Sequence, residues 1–246
     1  MQNIGIFGGS FNPVHNEHFA LCEYLLKKLE LNKIILVPNA APPHKSPLVT
    51  SFEHRCNMLK LQGFTAPNYE ISDLEDDPLK PHYSIVMVQN FKKCYPKDRL
   101  FFIIGLDSLV TLDEWKNGFS LTDFTHLAVV GREGYSLDMA RPPVQNFLMT
   151  HALYESDRDH IYYRNSKPSV QDEGCDIRTT QEHYCLILRK SFSLISATLI
   201  REELKAMWQK KAYLHLPLPK DEFKGLRHHV HPMVLQYIIE NHLYTE

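Results

Sequence analysis

The residues best suited to chemistry lie in one run, Gly8-Gly9-Ser10-Phe11-Asn12-Pro13-Val14-His15-Asn16-Glu17-His18. Two adjacent glycines let backbone approach a ligand closely, and a helix opening after Pro13 presents unpaired N–H groups and a positive dipole end to an anion. Phosphate is the natural guest. His15 and His18 are three apart, so on a first helical turn they share a face and can both point at that anion. Two plainer readings stand beside this one. The pair could be half of a metal site, although no nearby cysteine or carboxylate triad supplies the other half, or it could be two ordinary surface imidazoles. The glycine turn weighs against the latter. The run contains no G-x-x-x-x-G-K-[ST], which removes the P-loop reading, and no G-x-G-x-x-G, which weakens the dehydrogenase reading. The second apolar run also leads to Asn39, where a unit binding NAD as a hydride carrier shows an acid.

These residues need a scaffold, and the surrounding pattern supplies one. Asn3 to Phe7 is a short apolar run ending at the glycines, and a helix over about 16–29 places Phe19, Cys22, Leu25, Leu26 and Leu29 on one face. Lys33 to Pro38 (KIILVP) is continuously apolar, as a strand of a parallel sheet covered on both faces is, and closes a βαβ unit. Thr50 with Glu53 reads as a capping box opening a helix towards Gly63. A strand over 69–72, an acidic turn over 73–77 and a helix over 83–94 follow. Leu100 to Ile104 runs into Gly105, and Leu127 to Val130 precedes Gly131-Arg132. The expected fold is α/β, a Rossmann-like, mostly parallel sheet with helices on both faces, with ligands beyond the carboxyl ends of the strands. Function should therefore cluster just after Phe7, Val37, Ile104 and Val130. From 157 to 183 the pattern becomes polar and aperiodic and reads as a surface excursion. A strand over 185–188 and helices over 198–208 and 233–242 complete the chain. We expect a single domain over 1–246, with 1–190 the Rossmann-like core and 191–246 a small C-terminal helical portion.

Composition narrows the partners. The 246 residues are 43% hydrophobic and 23% charged, enough for a sizeable core and unlike a disordered or disulfide-stapled chain. With 27 basic against 29 acidic residues, no global basic field draws the protein to nucleic acid or an anionic membrane. The five cysteines are odd in number, widely spaced and lack C-x-x-C, which fits reduced thiols and a cytoplasmic location. No apolar run approaches the roughly 18 residues of a membrane span, and neither a transmembrane helix nor a signal peptide is expected. The His228-His229-x-His231 cluster could bind metal but reads better as a surface cluster at a helix start before Pro232.

The motif resembles that of nucleotidyltransferases with a GG-[ST]-F-[DN]-P-x-H-x-x-H signature, and within them the nicotinate mononucleotide adenylyltransferases of bacteria. The resemblance spans seven segments in order. After the glycine turn come Val37-Pro38-Asn39 with Pro42-Pro43-His44-Lys45, Arg55 with Met58, and Tyr83-Ser84. Then follow Ile104-Gly105-Leu106-Asp107-Ser108 with Trp115, the stretch VGREGY from Val130 to Tyr135, and Ile195-Ser196-Ala197-Thr198-Leu199-Ile200-Arg201. It departs at Glu17, where the family has glycine, at Ala197, where serine is common, and at Lys116, where an aromatic residue is expected. The resemblance implies transfer of AMP from ATP to nicotinate mononucleotide, giving nicotinate adenine dinucleotide and pyrophosphate, in NAD biosynthesis. Nicotinamide mononucleotide or another phosphorylated acceptor remains an alternative, as do a catalytically silent nucleotide-binding module and a metal hydrolase using the two histidines.

For this chain the resemblance implies catalytic roles for His15, His18, Arg201 and Lys45. It implies ATP binding by Gly8, Gly9, Ser10, Phe11, Gly105, Asp107, Arg132, Ile195, Ser196 and Thr198. Mononucleotide binding falls to Asn39, Lys45, Tyr83, Ser84 and Trp115. Plainer roles compete at several positions: a solvated loop lysine at 45, a helix cap at Asp107, a core tryptophan at 115, an exposed helical arginine at 201. No protein-held metal is expected; Mg²⁺ travels with ATP, held by phosphates and water. The partners expected are the two small-molecule substrates, with neither nucleic acid nor membrane, and the oligomeric state is left open.

Overall fold

A computed structural model describes residues 1–39, 50–75, 83–157, 160–164, 172, 174–193, 195–209 and 224–245. In chain order the elements are β1 (Asn3–Gly9), α1 (Asn16–Lys28), β2 (Lys33–Pro38), α2 (Phe52–Gln62), β3 (Tyr69–Ile71), α3 (Ser84–Cys94), β4 (Arg99–Gly105) and α4 (Leu106–Leu109). They continue with β5 (His126–Arg132), α5 (Pro142–His151), β6 (Ala152–Glu155), β7 (Ile161–Tyr163), β8 (Cys175–Asp176), β9 (Cys185–Phe192), α6 (Ala197–Gln209), α7 (Lys224–His229) and α8 (Pro232–Glu240). The strands form one sheet in the order β3-β2-β1-β4-β5-β9-β6-β7-β8. It is parallel from β3 through β6 and antiparallel only in the β6–β7–β8 meander.

The continuous apolar runs are explained by a core on each face. Along β2, Ile34 and Leu36 enter one core while Ile35 and Val37 enter the other. Along β4, Phe101 and Ile103 join the first and Leu100, Phe102 and Ile104 the second. Helices α1, α2, α6, α7 and α8 cover the first face and α3, α4 and α5 the second. The C-terminal helices thus share a core with α1 and α2. Truncating a side chain such as the fully buried Leu25 to alanine should cost about 2–5 kcal/mol.

Three expectations need correction. Among its described residues the 157–183 stretch is not wholly a surface excursion: β7 and β8 extend the sheet there, and Tyr162 and Ile177 are buried. Strands of two and three residues are too short to show a period, which is why the pattern hid them. The α2 cap is Ser51, whose Oγ accepts the His54 N–H, and not Thr50. The histidine cluster is not at a helix start: His228 and His229 close α7, and only His231 caps α8. Residues 224–227 open α7, and 210–223 lie outside the described residues. The acidic turn is described only as far as residue 75.

Candidate active site

Chain order reverses between β1 and β4, which lie side by side while their successors run to opposite edges. At such a switch point the following loops part and leave a crevice beyond the carboxyl ends of the strands. A cavity of about 830 Å³ opens there, lined from the ends of β1, β2, β4 and β5 and from the β9–α6 connection. That volume suits ligands of nucleotide size.

The β1–α1 turn forms one wall. Phe11 is fully buried in the left-handed region at φ 45° and stands edge-on to Phe7, with ring centroids 5.4 Å apart. Its ring explains Gly9, where a β-carbon would lie 3.2 Å from it. The Asn12–Pro13 peptide is cis. His15 occupies the N-cap of α1, and its backbone N–H donates to His18 Nδ1 at 3.2 Å. Because that nitrogen accepts, a neutral His18 carries its proton on Nε2 and keeps a donor for a ligand. The two rings lie 3.7 Å apart between centroids, and both line the cavity.

Neither imidazole is ready to carry charge in the free site. Burial, with smaller contributions from the Arg132 and His229 charges, pushes the His15 pKa down to about 3. Burial and then the neighbouring His15 and Arg132 hold His18 well below the ordinary value. His15 Nδ1 is buried without a hydrogen-bond partner.

The β9–α6 connection and the end of β5 bring the cations. Arg201, in the second turn of α6, donates from Nη1 to the Asn12 carbonyl at 2.7 Å and from Nη2 to Thr198 Oγ1 at 3.1 Å. Ser196 Oγ accepts the Leu199 N–H, so this hydroxyl caps α6. Arg132, at the end of β5, reaches Asp107 at 3.5 Å, while the other carboxylate oxygen, Asp107 Oδ1, is buried without a partner. Gly105 leaves room for that carboxylate: a β-carbon there would meet Asp107 Oδ1 at 2.2 Å, so the Asp107 side chain would have to turn aside.

Gly8, Gly9, Ser10, Phe11, His15, His18, Asn39, Ser84, Gly105, Asp107, Trp115, Arg132, Ile195, Ser196, Thr198 and Arg201 all line this one cavity. Asn39 Oδ1 is a further buried acceptor without a partner. Trp115 stands edge-on to Phe102. Tyr83 is the exception: it is not among the lining residues, and its ring instead lies under Lys116 Nζ at 4.4 Å. As the N-cap of α3 it turns Ser84, the next residue, to the cavity. Lys45 lies outside the described residues. Sequence reasoning missed Glu75, Met87, Phe192 and Ser193, which also line the cavity. It also assigned no role to Arg55, a fully buried arginine whose Nη1 donates to the Ser10 carbonyl at 2.7 Å. A lone arginine within a helix gives no local sign of that. Glu17 does face the cavity, adding an acid beside the imidazoles.

The donor set bears on metal binding. The cavity acids are Glu17, Glu75 and Asp107, and among the described residues no three His, Cys, Asp or Glu side chains converge as a metal cage. A cation brought by phosphates and water needs no such cage.

A glycine turn bearing paired imidazoles at a parallel-sheet switch point is the frame of a nucleotidyltransferase. Residues 6–203 match the model of the cytidylyltransferase-like family. The chain belongs to that family and, within it, to the nicotinate-nucleotide adenylyltransferases. It is 36% identical over 227 residues to a probable nicotinate-nucleotide adenylyltransferase of Shewanella baltica OS223, covering 92% of this chain and 98% of the relative. A protein of the same description from Carboxydothermus hydrogenoformans is 39% identical over 142 residues, 58% of this chain and 71% of that one. Plasmodium falciparum nicotinic acid mononucleotide adenylyltransferase complexed with NaAD superposes with a TM-score of 0.67 over 99% of this chain and 98% of its own, at 18% identity, which shows the common fold.

Proposed function

We propose that the cavity transfers AMP from ATP to nicotinate mononucleotide, yielding nicotinate adenine dinucleotide and pyrophosphate, a step of NAD biosynthesis. The convergence of His15, His18 and Arg201 on one cavity supports this reading best. A phosphate oxygen of the mononucleotide attacks the α-phosphorus of ATP, the bond from that phosphorus to the bridging β-phosphate oxygen breaks, and pyrophosphate leaves. The attacking oxygen is already ionised, so no general base is needed, and alignment and charge neutralisation carry the rate. His18 Nε2–H and the His15 imidazole hydrogen-bond the phosphates as negative charge moves to the leaving group. Arg201 supplies a planar fork whose position is fixed by Asn12 and Thr198. Lys45 adds a cation to either phosphate. The glycine turn with Ser10 and Phe11, Gly105, Asp107, Arg132, Ile195, Ser196 and Thr198 hold ATP, and Asp107 Oδ1 is an acceptor for a ribose hydroxyl. Asn39, Ser84 and Trp115 hold the mononucleotide, with Tyr83 setting Ser84 in place. Mg²⁺ enters on the triphosphate, bound by its oxygens and water, and offsets part of its charge.

The free cysteines support a reducing, cytoplasmic setting, and among the described residues no helix is long and apolar enough to cross a membrane. Initial rates of pyrophosphate release with nicotinate mononucleotide, nicotinamide mononucleotide and a phosphorylated pantetheine test the reading. Release with the first is expected; release with another acceptor and none with the first overturns the substrate assignment. Glu17 in the cavity wall favours one rival, a module that binds ATP without turnover, which calorimetric binding with zero rate on every acceptor would establish.

A further inference from the structure

The turn that carries Ser10 to Asn12 is gripped from outside the motif. Arg55 of α2 holds the Ser10 carbonyl and Arg201 of α6 holds the Asn12 carbonyl. A third group completes the grip: the Tyr244 hydroxyl, after α8, donates to Asn12 Oδ1 at 2.7 Å across 232 residues of sequence. Tyr244 and Asn12 are both buried, at 4% and 3% exposure. Tyr244 itself sits in the left-handed region at φ 62°. That conformation is uncommon for a bulky side chain and persists where surrounding contacts demand it. The hydroxyl also meets the Thr50 side chain and lies within reach of both guanidinium charges, Arg55 and Arg201. The polar side chains around it are thus the Asn12 amide, the Thr50 hydroxyl and two arginines that both hold the same turn.

We propose that Tyr244 is a positioning residue for adenylyl transfer, acting through Asn12. By occupying the amide oxygen of Asn12 it orients a side chain that lines the cavity, leaving the Asn12 amide nitrogen as the donor end. It also fixes the residue whose carbonyl anchors Arg201, so one hydroxyl sets both the motif turn and the arginine bound to it. Without the hydroxyl, Asn12 Oδ1 is a buried acceptor with no partner, and the turn must shift to satisfy it. This inference rests on the adenylyl-transfer reading above, and the two fail differently.

The experiment is a double-mutant cycle on the full-length protein with Tyr244→Phe, Asn12→Ala and the pair, measuring kcat and KM for ATP and for nicotinate mononucleotide. Binding of a non-hydrolysable ATP analogue and the thermal unfolding midpoint are followed in parallel. Tyr244→Phe keeps the ring and its packing, so it should remain folded while kcat/KM for ATP falls about tenfold or more. The pair should be no worse than Asn12→Ala alone, because the hydroxyl works through that amide. A merely structural tyrosine lowers the unfolding midpoint but leaves kcat and both KM values of the folded fraction unchanged. That result, or effects of the two substitutions that multiply, overturns the proposal. If Tyr244→Phe does not fold, the Asn12→Ala protein decides: wild-type kcat and KM there overturn it. Wild-type protein without turnover on any acceptor refutes the adenylyl-transfer reading instead, and the cycle then reads on analogue affinity, where the same non-additive loss is expected.

Discussion

Acid should unfold this protein well before its carboxylates titrate, because its buried imidazoles refuse protons. His15 and His126 are each held at a pKa of about 3 by burial, against an ordinary 6.5. A depressed value means the unfolded chain binds protons that the folded chain does not, so stability is full above pH 6.5 and declines as pH falls towards 3. Between pH 7 and pH 5 each group of this kind loses about 2 kcal/mol, and the two together about 4 kcal/mol, a large share of an ordinary folding free energy of roughly 5–15 kcal/mol. His18 and His183, also lowered chiefly by burial, add in the same direction. Asp176 contributes nothing in this window, because its carboxyl, drawn down to about 2 by Arg178, loses its stabilising effect only below about pH 4. Urea unfolding at pH 7 and pH 5, at constant ionic strength, measures the difference. His15→Asn should shrink it by about 2 kcal/mol. A difference below about 1 kcal/mol in the wild type would mean that these imidazoles are hydrated or already charged, and would refute the reasoning.

Gly105→Ala should raise KM for ATP at least tenfold while leaving the chain folded, because a β-carbon 2.2 Å from Asp107 Oδ1 displaces that carboxylate and its pairing with Arg132; an unchanged KM contradicts the assignment of Asp107 to ATP. Glu17→Gln removes a negative charge from the cavity wall and should lower KM for ATP about fivefold, the worth of roughly 1 kcal/mol, in steady-state kinetics at low salt. A weaker or equal affinity would show that the acid works with the bound cation. A chelator should stop pyrophosphate release, with Mg²⁺ restoring it; restoration by stoichiometric zinc and not by magnesium would point instead to a protein-held metal at the histidine pair.

How much was legible in the sequence follows from burial geometry. Strands β1, β2, β4 and β5 lie between two helix layers, so their side chains are apolar on both faces and stand out as continuous runs. Parallel strands with known ends also fix where a crevice must open, so function was expected just after Ile104 and Val130, while the roles of Gly105, Asp107 and Arg132 came from the family resemblance. The meander β6–β8 escaped because its strands are two to four residues long. Thr50 was misread because only Thr50, with Glu53 three residues on, matches the capping-box pattern, whereas tertiary contact decides otherwise: Thr50 turns inward to Tyr244 and leaves the cap to Ser51, which has His54 at that position. Arg55 and Tyr244 escaped for a deeper reason. Each contributes one hydrogen bond to the motif from far along the chain, and neither spacing nor periodicity records such a bond.

The central claim is that the imidazole pair and Arg201 act on one polyphosphate. It is tested most directly by the rate of pyrophosphate release from ATP and nicotinate mononucleotide in His18→Ala, with folding checked by circular dichroism. Loss of a positioned donor of this kind is worth about 2.7–4 kcal/mol, so kcat should fall about 100- to 1,000-fold. A folded variant that turns over within threefold of the wild type would contradict it.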